Sequence, residues 1–174
     1  PNPVYFAEGN YPASKLMAEK LVLESYRGHA LPVVIIRPCL MYGPGKSPGT
    51  KILKRWQAKR MHLVVDWGRA KMSLVYVVDV ARALILAGTH PRAVGKCYNI
   101  SDGVPYSRRE ILQTLETITG RRKLFLTVPS TSLHRLFCFL HAVIKPIYPR
   151  GAALIDPRRV LFSAYSHVID ITRA

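Results

Sequence analysis

Tyr11 and Lys15 stand four residues apart in the stretch YPASK. On a helix, that spacing puts both side chains on one face, about one turn apart. A free phenol has a pKa of about 10, so it exchanges protons poorly at neutral pH. A neighbouring ammonium favours the phenolate and lowers that value. The pair therefore has the parts to take a proton from a hydroxyl or to give one to a carbonyl. The same residues also suit the first turn of an ordinary amphipathic helix with a solvated lysine. Five residues do not choose between these readings.

The elements that would position the pair can be read along the chain. Residues 12–27 are predicted to form a helix. Pro12 fits its first turn, where a missing N–H costs nothing, and Gly28 is the expected stop. Leu16, Met17, Leu21 and Leu23 supply its apolar positions. Residues 33–36 are a continuous β-branched run, the pattern of a strand buried on both faces in a parallel sheet. Pro38 and the Gly-Pro-Gly of 43–45 end that strand.

A short basic helix follows over 50–60. Strands are expected at 63–65, 73–78, 97–101 and 124–129. Asp79 is read as the N-cap of a helix that Gly88 closes. Ser107 and Glu110 form an S-x-x-E capping box, opening a helix that runs to Gly120. Residues 131–144 are a strongly apolar helix. Helices alternating with buried strands define an α/β protein, here a Rossmann-type doubly wound parallel sheet.

A dinucleotide-binding sheet needs an early strand followed by a glycine-rich turn. The glycine-dense stretch YGPGKSPG contains neither GxGxxG nor GxxxxGK[ST]. The expectation is that the chain is a piece cut at both ends, with that turn before Pro1. Such a piece is expected to be inactive and weakly stable alone.

Charge and cysteine usage narrow the partners. Lys and Arg number 26 against 10 acidic residues, a formal +16 over 174 residues. That excess suits nucleic acid or an anionic membrane. The basic residues are spread along the chain and match no nucleic-acid-binding motif, so no nucleic acid is expected. Cys39, Cys97 and Cys138 are odd in number and form no CxxC, which points to a reduced, cytoplasmic setting. No apolar run reaches the ~18 residues of a spanning helix. His134 and His141 lack a third ligand at metal spacing, and no metal is expected. Trp56 and Trp67 are read as core or pocket-edge aromatics.

Taken in order, several segments resemble the extended branch of the short-chain dehydrogenase/reductase superfamily. YPASKLMAEKLV resembles its Tyr-x-x-x-Lys helix. VVIIRPCLMYGPG is similar to the following strand and its Arg-Pro-x-x-x-Tyr-Gly-Pro-Gly turn. SLVYVVDVARAL resembles the Val-His-Val-Asp-Asp-Val-Ala strand and helix. CYNISDG and DITRA match later segments.

The resemblance covers nearly the whole chain and implies specific roles. Tyr11 would be the general acid/base. Lys15 would bind the ribose hydroxyls of NAD or NADP and lower the pKa of Tyr11. Pro38, Cys39 and Leu40 would line the nicotinamide side. The family's substrate-holding Ser or Thr has no counterpart in residues 1–10. The alternative for Arg37 is a pairing within the structure, and for Cys39 a place as a small core residue.

The resemblance also implies a division. Residues 1–101 would be the C-terminal half of the NAD(P)-binding domain, with 46–72 a substrate-side insertion. Residues 102–174 would be the substrate-binding subdomain. A homodimer is left open for the full-length protein.

Two features bear on the small-molecule substrate. Nucleotide-sugar enzymes of this kind often carry Arg-Asp where this chain has Met72-Ser73, so a phosphate clamp there loses its charge, although Arg69 and Lys71 stand close by. In the second feature, residues 131–148, Leu133, Leu136, Phe137, Leu140 and Ile144 follow helical spacing between basic residues. That segment is read as a core helix or as a membrane-surface helix, which would make the protein peripheral. Both features lean toward a dehydrogenase of a sterol-like or other apolar alcohol. A nucleotide-sugar epimerase or dehydratase is the first alternative. A basic membrane- or nucleic-acid-binding module without catalysis is the second.

Overall fold

The computed structural model describes residues 10–45, 47–148 and 155–172. Helix α1 (Asn10–His29) leads into strands β1 (Ile35–Pro38) and β2 (Leu40–Tyr42). Helix α2 (Pro48–Ala58), β3 (Met61–Val65), β4 (Lys71–Tyr76) and α3 (Val77–Thr89) follow. The chain continues through β5 (Cys97–Ile100), β6 (Pro105–Ser107), α4 (Arg108–Thr119) and β7 (Leu124–Val128). Two further helices are α5 (Ser130–Ile144) and α6 (Arg158–Ala164).

Among the described residues, β1 pairs with β5, β2 and β6 flank β4, and β3 pairs with β7. All these pairings are parallel except β4 with β6. Parallel neighbours joined through helices are the α/β arrangement expected from the sequence.

Two contacts set the direction of α1. A Cβ on Gly95, which sits at φ +76°, would lie 2.5 Å from the Tyr26 hydroxyl oxygen. The C-terminal turns of α1 therefore press on the turn entering β5. Nearer its middle, Glu19 accepts hydrogen bonds from Arg37 of β1, one of them from Nε at 3.0 Å. Arg37 thus has an internal partner. The helix runs opposite to β1, and its first turns, with Tyr11 and Lys15, project toward the strand's C-terminal end.

The buried apolar residues gather elsewhere. Val64 and Val65 of β3, Leu74 and Val75 of β4, Ile111 and Leu112 of α4 and Val160 of α6 form the core. Lys123 is buried beside it and donates to the carbonyls of Trp56, Gln57 and Lys59 at 2.7–3.1 Å. It thereby satisfies orphan acceptors at the end of α2 and carries charge to the negative pole of that helix.

The sequence expectations hold in part. The capping box forms as read, with Glu110 N–H donating to Ser107 Oγ and Ser107 N–H to the Glu110 carboxylate. Gly120 ends α4 in the left-handed conformation at φ +64°. Asp79, by contrast, is not an N-cap. Helix α3 starts at Val77 with Tyr76 as its cap residue, and Asp79 instead pairs with Arg82 at 3.2 Å. β4 accordingly stops at Tyr76 rather than 78.

Gly28 is not the stop of α1 either, because the helix runs to His29 and Ala30 turns the chain at φ +52°. Residues 33–36 are half-buried, not buried on both faces, because other elements cover their side chains only partly. Helix α5 is not a core helix. None of its residues is fully buried, and Leu136, Phe139 and Val143 are exposed. Trp67 is exposed at φ +63°, whereas Trp56 lines a cavity.

A segment with no strand signal in the sequence also joins β4. His167 N–H donates to Lys71 O, and Ser73 N–H donates to His167 O at 3.1 Å. Ile169 N–H then donates to Ser73 Oγ at 3.0 Å. This strap lines one side of a cavity of ≈ 610 Å³.

Candidate functional site

Helix α1 brings Tyr11 and Lys15 together. Lys15 Nζ lies 5.5 Å from the centre of the Tyr11 ring, as the four-residue spacing requires. Tyr11 is 72% exposed, so its hydroxyl can meet a molecule from outside the fold. Ser14 Oγ donates back to the Tyr11 carbonyl at 2.8 Å within the first turns of the helix.

Pro38, Cys39 and Leu40 form the second group. Pro38 ends β1 opposite Ile100, and Cys39 N–H donates to Ile100 O at 3.0 Å. Leu40 opens β2 opposite Leu74. Burial, helped by nearby Asp102, pushes the Cys39 thiol up to about 11. At neutral pH it is therefore a neutral wall residue and a poor nucleophile.

The two groups occupy the same end of the β1 unit, the end where ligands bind in open α/β sheets. Among the described residues, no hydrogen bond, ion pair or ring contact joins them directly.

Cys39 and Leu40 also open onto a cavity of ≈ 610 Å³. Its walls include Ile52, Met72, Phe162 and Val168, so most of its surface is apolar. Met72 and Ser73 line it where a charged pair was absent from the sequence. Ser73 Oγ is already taken by the Ile169 amide. Lys71 reaches the rim, and Lys71 N–H donates to Ser166 Oγ at 3.0 Å.

One cavity residue escaped the sequence reading. The Arg108 guanidinium stacks over the Trp56 ring, with Cζ 4.9 Å from its centre. Its Nε is buried and has no hydrogen-bond partner among the described residues. Burial lowers its affinity for a proton, though a guanidinium stays charged. The capping box was a local signal that placed Arg108 at the start of α4. Nothing local showed that this turn would face Trp56.

The chain is similar to known proteins. The family model described as the NAD dependent epimerase/dehydratase family matches residues 3–101. A UDP-glucose 4-epimerase of Vibrio cholerae is 30% identical over 123 residues, covering 70% of this chain and 38% of that protein. A 2-alkyl-3-oxoalkanoate reductase of Stenotrophomonas maltophilia is 31% identical over 131 residues, covering 72% and 39%. Among solved structures, the UDP-glucose 4-epimerase of Thermus thermophilus, in complex with NAD, aligns with a TM-score of 0.56 at 23% identity, covering 68% of this chain and 41% of that one. That likeness shows a Rossmann-type fold. The chain spans about two fifths of the length of each of these proteins.

Proposed function

Because this chain belongs to the NAD dependent epimerase/dehydratase family, we propose that it carries the proton-transfer residues of an NAD(P)-dependent oxidoreductase acting on the hydroxyl or ketone of an apolar alcohol, sterol-like or otherwise. The observation that carries this reading is the Tyr11–Lys15 pair, exposed on one face at the ligand-binding end of the β1 unit. In this reading residues 1–101 belong to the dinucleotide domain, 46–72 are a substrate-side insertion and 102–174 are the substrate subdomain.

The residues present fit a nicotinamide dinucleotide. An ammonium and a phenol share an exposed face, and a neutral wall stands at the end of β1. NAD or NADP, when bound, would supply or accept the hydride. Lys15 would hold ribose hydroxyls and favour the Tyr11 phenolate through its charge. Tyr11 would accept the proton of the substrate hydroxyl in oxidation, and return it to the carbonyl oxygen in reduction. Pro38, Cys39 and Leu40 would keep water from the nicotinamide side.

The apolar walls of the cavity support an apolar substrate, as does the similarity to a reductase whose name specifies an alkyl oxoalkanoate. A second reading, a nucleotide-sugar epimerase or dehydratase, is supported by the similarity to UDP-glucose 4-epimerase. Turnover of the natural protein on an apolar 3-hydroxy panel and on UDP-glucose distinguishes them. Tyr11→Phe is expected to lower turnover by about a hundredfold or more. Unchanged turnover in that variant would falsify the catalytic assignment, and turnover of UDP-glucose alone would select the second reading.

A surface partner belongs to the same proposal. On α5 the exposed Leu136, Phe139 and Val143 lie along one stripe, and Ile147 and Tyr148 continue the apolar surface beyond it. Arg135 and Lys145 stand near its ends. Among the described residues no helix is long and apolar enough to cross a membrane. The stripe instead suits the interface of an anionic bilayer. Flotation with phosphatidylserine-containing vesicles is expected to carry the protein, and Phe139→Glu is expected to weaken that binding several-fold. Equal flotation of the two proteins sinks the membrane assignment.

A further inference from the structure

The cavity beside Cys39 and Leu40 is apolar over most of its wall, yet Arg108 contributes to that wall. The arginine is poorly hydrated, and its Nε has lost water without gaining a protein acceptor. Trp56 covers one face of the guanidinium and cannot accept hydrogen bonds in its plane. Arg108 is half-buried, no described carboxylate pairs with it, and a partly desolvated cation is stabilised by an anionic partner.

Nor does an acidic residue line the cavity or the adjoining ≈ 300 Å³ pocket, which Arg108 also borders. Arg55 and Lys59 line that second pocket and add positive charge. The Met72-Ser73 pair itself adds no charge, and Lys71 beside it is a further cation lining the cavity.

We propose that Arg108 is a specificity-determining residue that holds the carboxylate or phosphate of an amphipathic substrate, whose apolar body fills the ≈ 610 Å³ cavity lined by Leu40, Ile52 and Phe162. The inference rests on reading that cavity as the substrate site. It narrows the substrate class to apolar alcohols or ketones that carry an acid group. The planar guanidinium suits this task because it can meet two oxygens of one anion at once. Stacking on Trp56 holds its plane fixed before the ligand arrives.

The test does not depend on catalysis. The chain has two tryptophans, so in a Trp67→Phe background the fluorescence reports on Trp56, directly beneath Arg108. Titrations with decanoate, decyl phosphate and decanol compare two anions with a neutral ligand of the same chain length. At least one anion is expected to bind about tenfold or more tighter than decanol, the scale of a charge-assisted contact. The tighter of the two identifies the preferred acid group.

Arg108→Gln is expected to remove the preference and leave decanol binding in place, while Arg108→Lys keeps part of it. Circular dichroism checks that the variants fold. If Arg108→Gln does not fold, the anion-to-decanol ratio of the parent chain decides. Equal affinity for decanoate, decyl phosphate and decanol overturns the inference and leaves the apolar-cavity reading standing. If none of the three binds, both fall. An anion preference that survives in Arg108→Gln assigns it to another residue and also overturns the proposal.

Discussion

The unit of α1, β1 and β5 and the unit of β3, β4 and α4 are built from similarly apolar sequences, yet they bury them differently. In the second unit Val64, Val75 and Leu112 are at most 1% exposed. In the first, every described residue of β1 and β5 is half-buried or exposed, and Met17 and Leu21 of α1 are 65% and 63% exposed. A β-branched run is buried only where other elements cover its faces. β3 packs against α6, and β4 lies between β2 and β6 with α3 against it. β1 has β5 on one side and the Glu19–Arg37 bridge to α1. Tyr11 and Lys15 therefore sit where little is packed, whereas Val64, Val75 and Leu112 sit where packing is tight.

That contrast separates chemistry from stability, and substitutions can break it. The largest expected effect is on the loosely packed side. Tyr11→Phe should lower turnover by about a hundredfold or more, yet leave the melting temperature unchanged, because its ring is mostly exposed. A large fall in melting temperature would show that α1 is part of the cooperative core.

Leu112→Ala should do the reverse. Removing a fully buried leucine costs about 2–5 kcal/mol. Chemical denaturation should show that loss, and an unchanged midpoint would mean the second unit is not the stable one.

The smallest effect is one of pH. His62 is buried on β3 at 3% exposure, and burial lowers its pKa from the ordinary 6.5. The folded state therefore resists the proton that the unfolded chain accepts. Its contribution is fully present above pH 6.5 and is lost as pH falls through the folded value. Thermal melts from about pH 7.5 to about pH 5 should show a decline that His62→Gln flattens. An identical decline in the variant would assign it to other groups.

Much of this was legible one element at a time. The capping box of α4 was readable because its hydrogen bonds reach only three residues. The Tyr11–Lys15 pairing was readable because helix geometry fixes which side chains share a face. The misreadings came where local signals competed. Asp79 looked like a cap, but α3 starts two residues before it, at Val77, with Tyr76 as the cap residue. The apolar character of α5 was visible, but not that its apolar surface would stay divided between a neighbour and solvent. The strap at 166–169 had no signal of its own, since its pairing with β4 depends on an edge supplied by distant residues.

The sequence alone determined the alternation of helix and strand, the shared face of Tyr11 and Lys15 and the start of α4, because each follows from bonds and spacings within a few residues. Only the tertiary structure decided that Cys39 and Leu40 open onto an apolar cavity, and that Arg108 stands in its wall over Trp56. Those neighbours meet through packing between elements far apart in the chain, and periodicity within one element carries no information about which partner its face will meet.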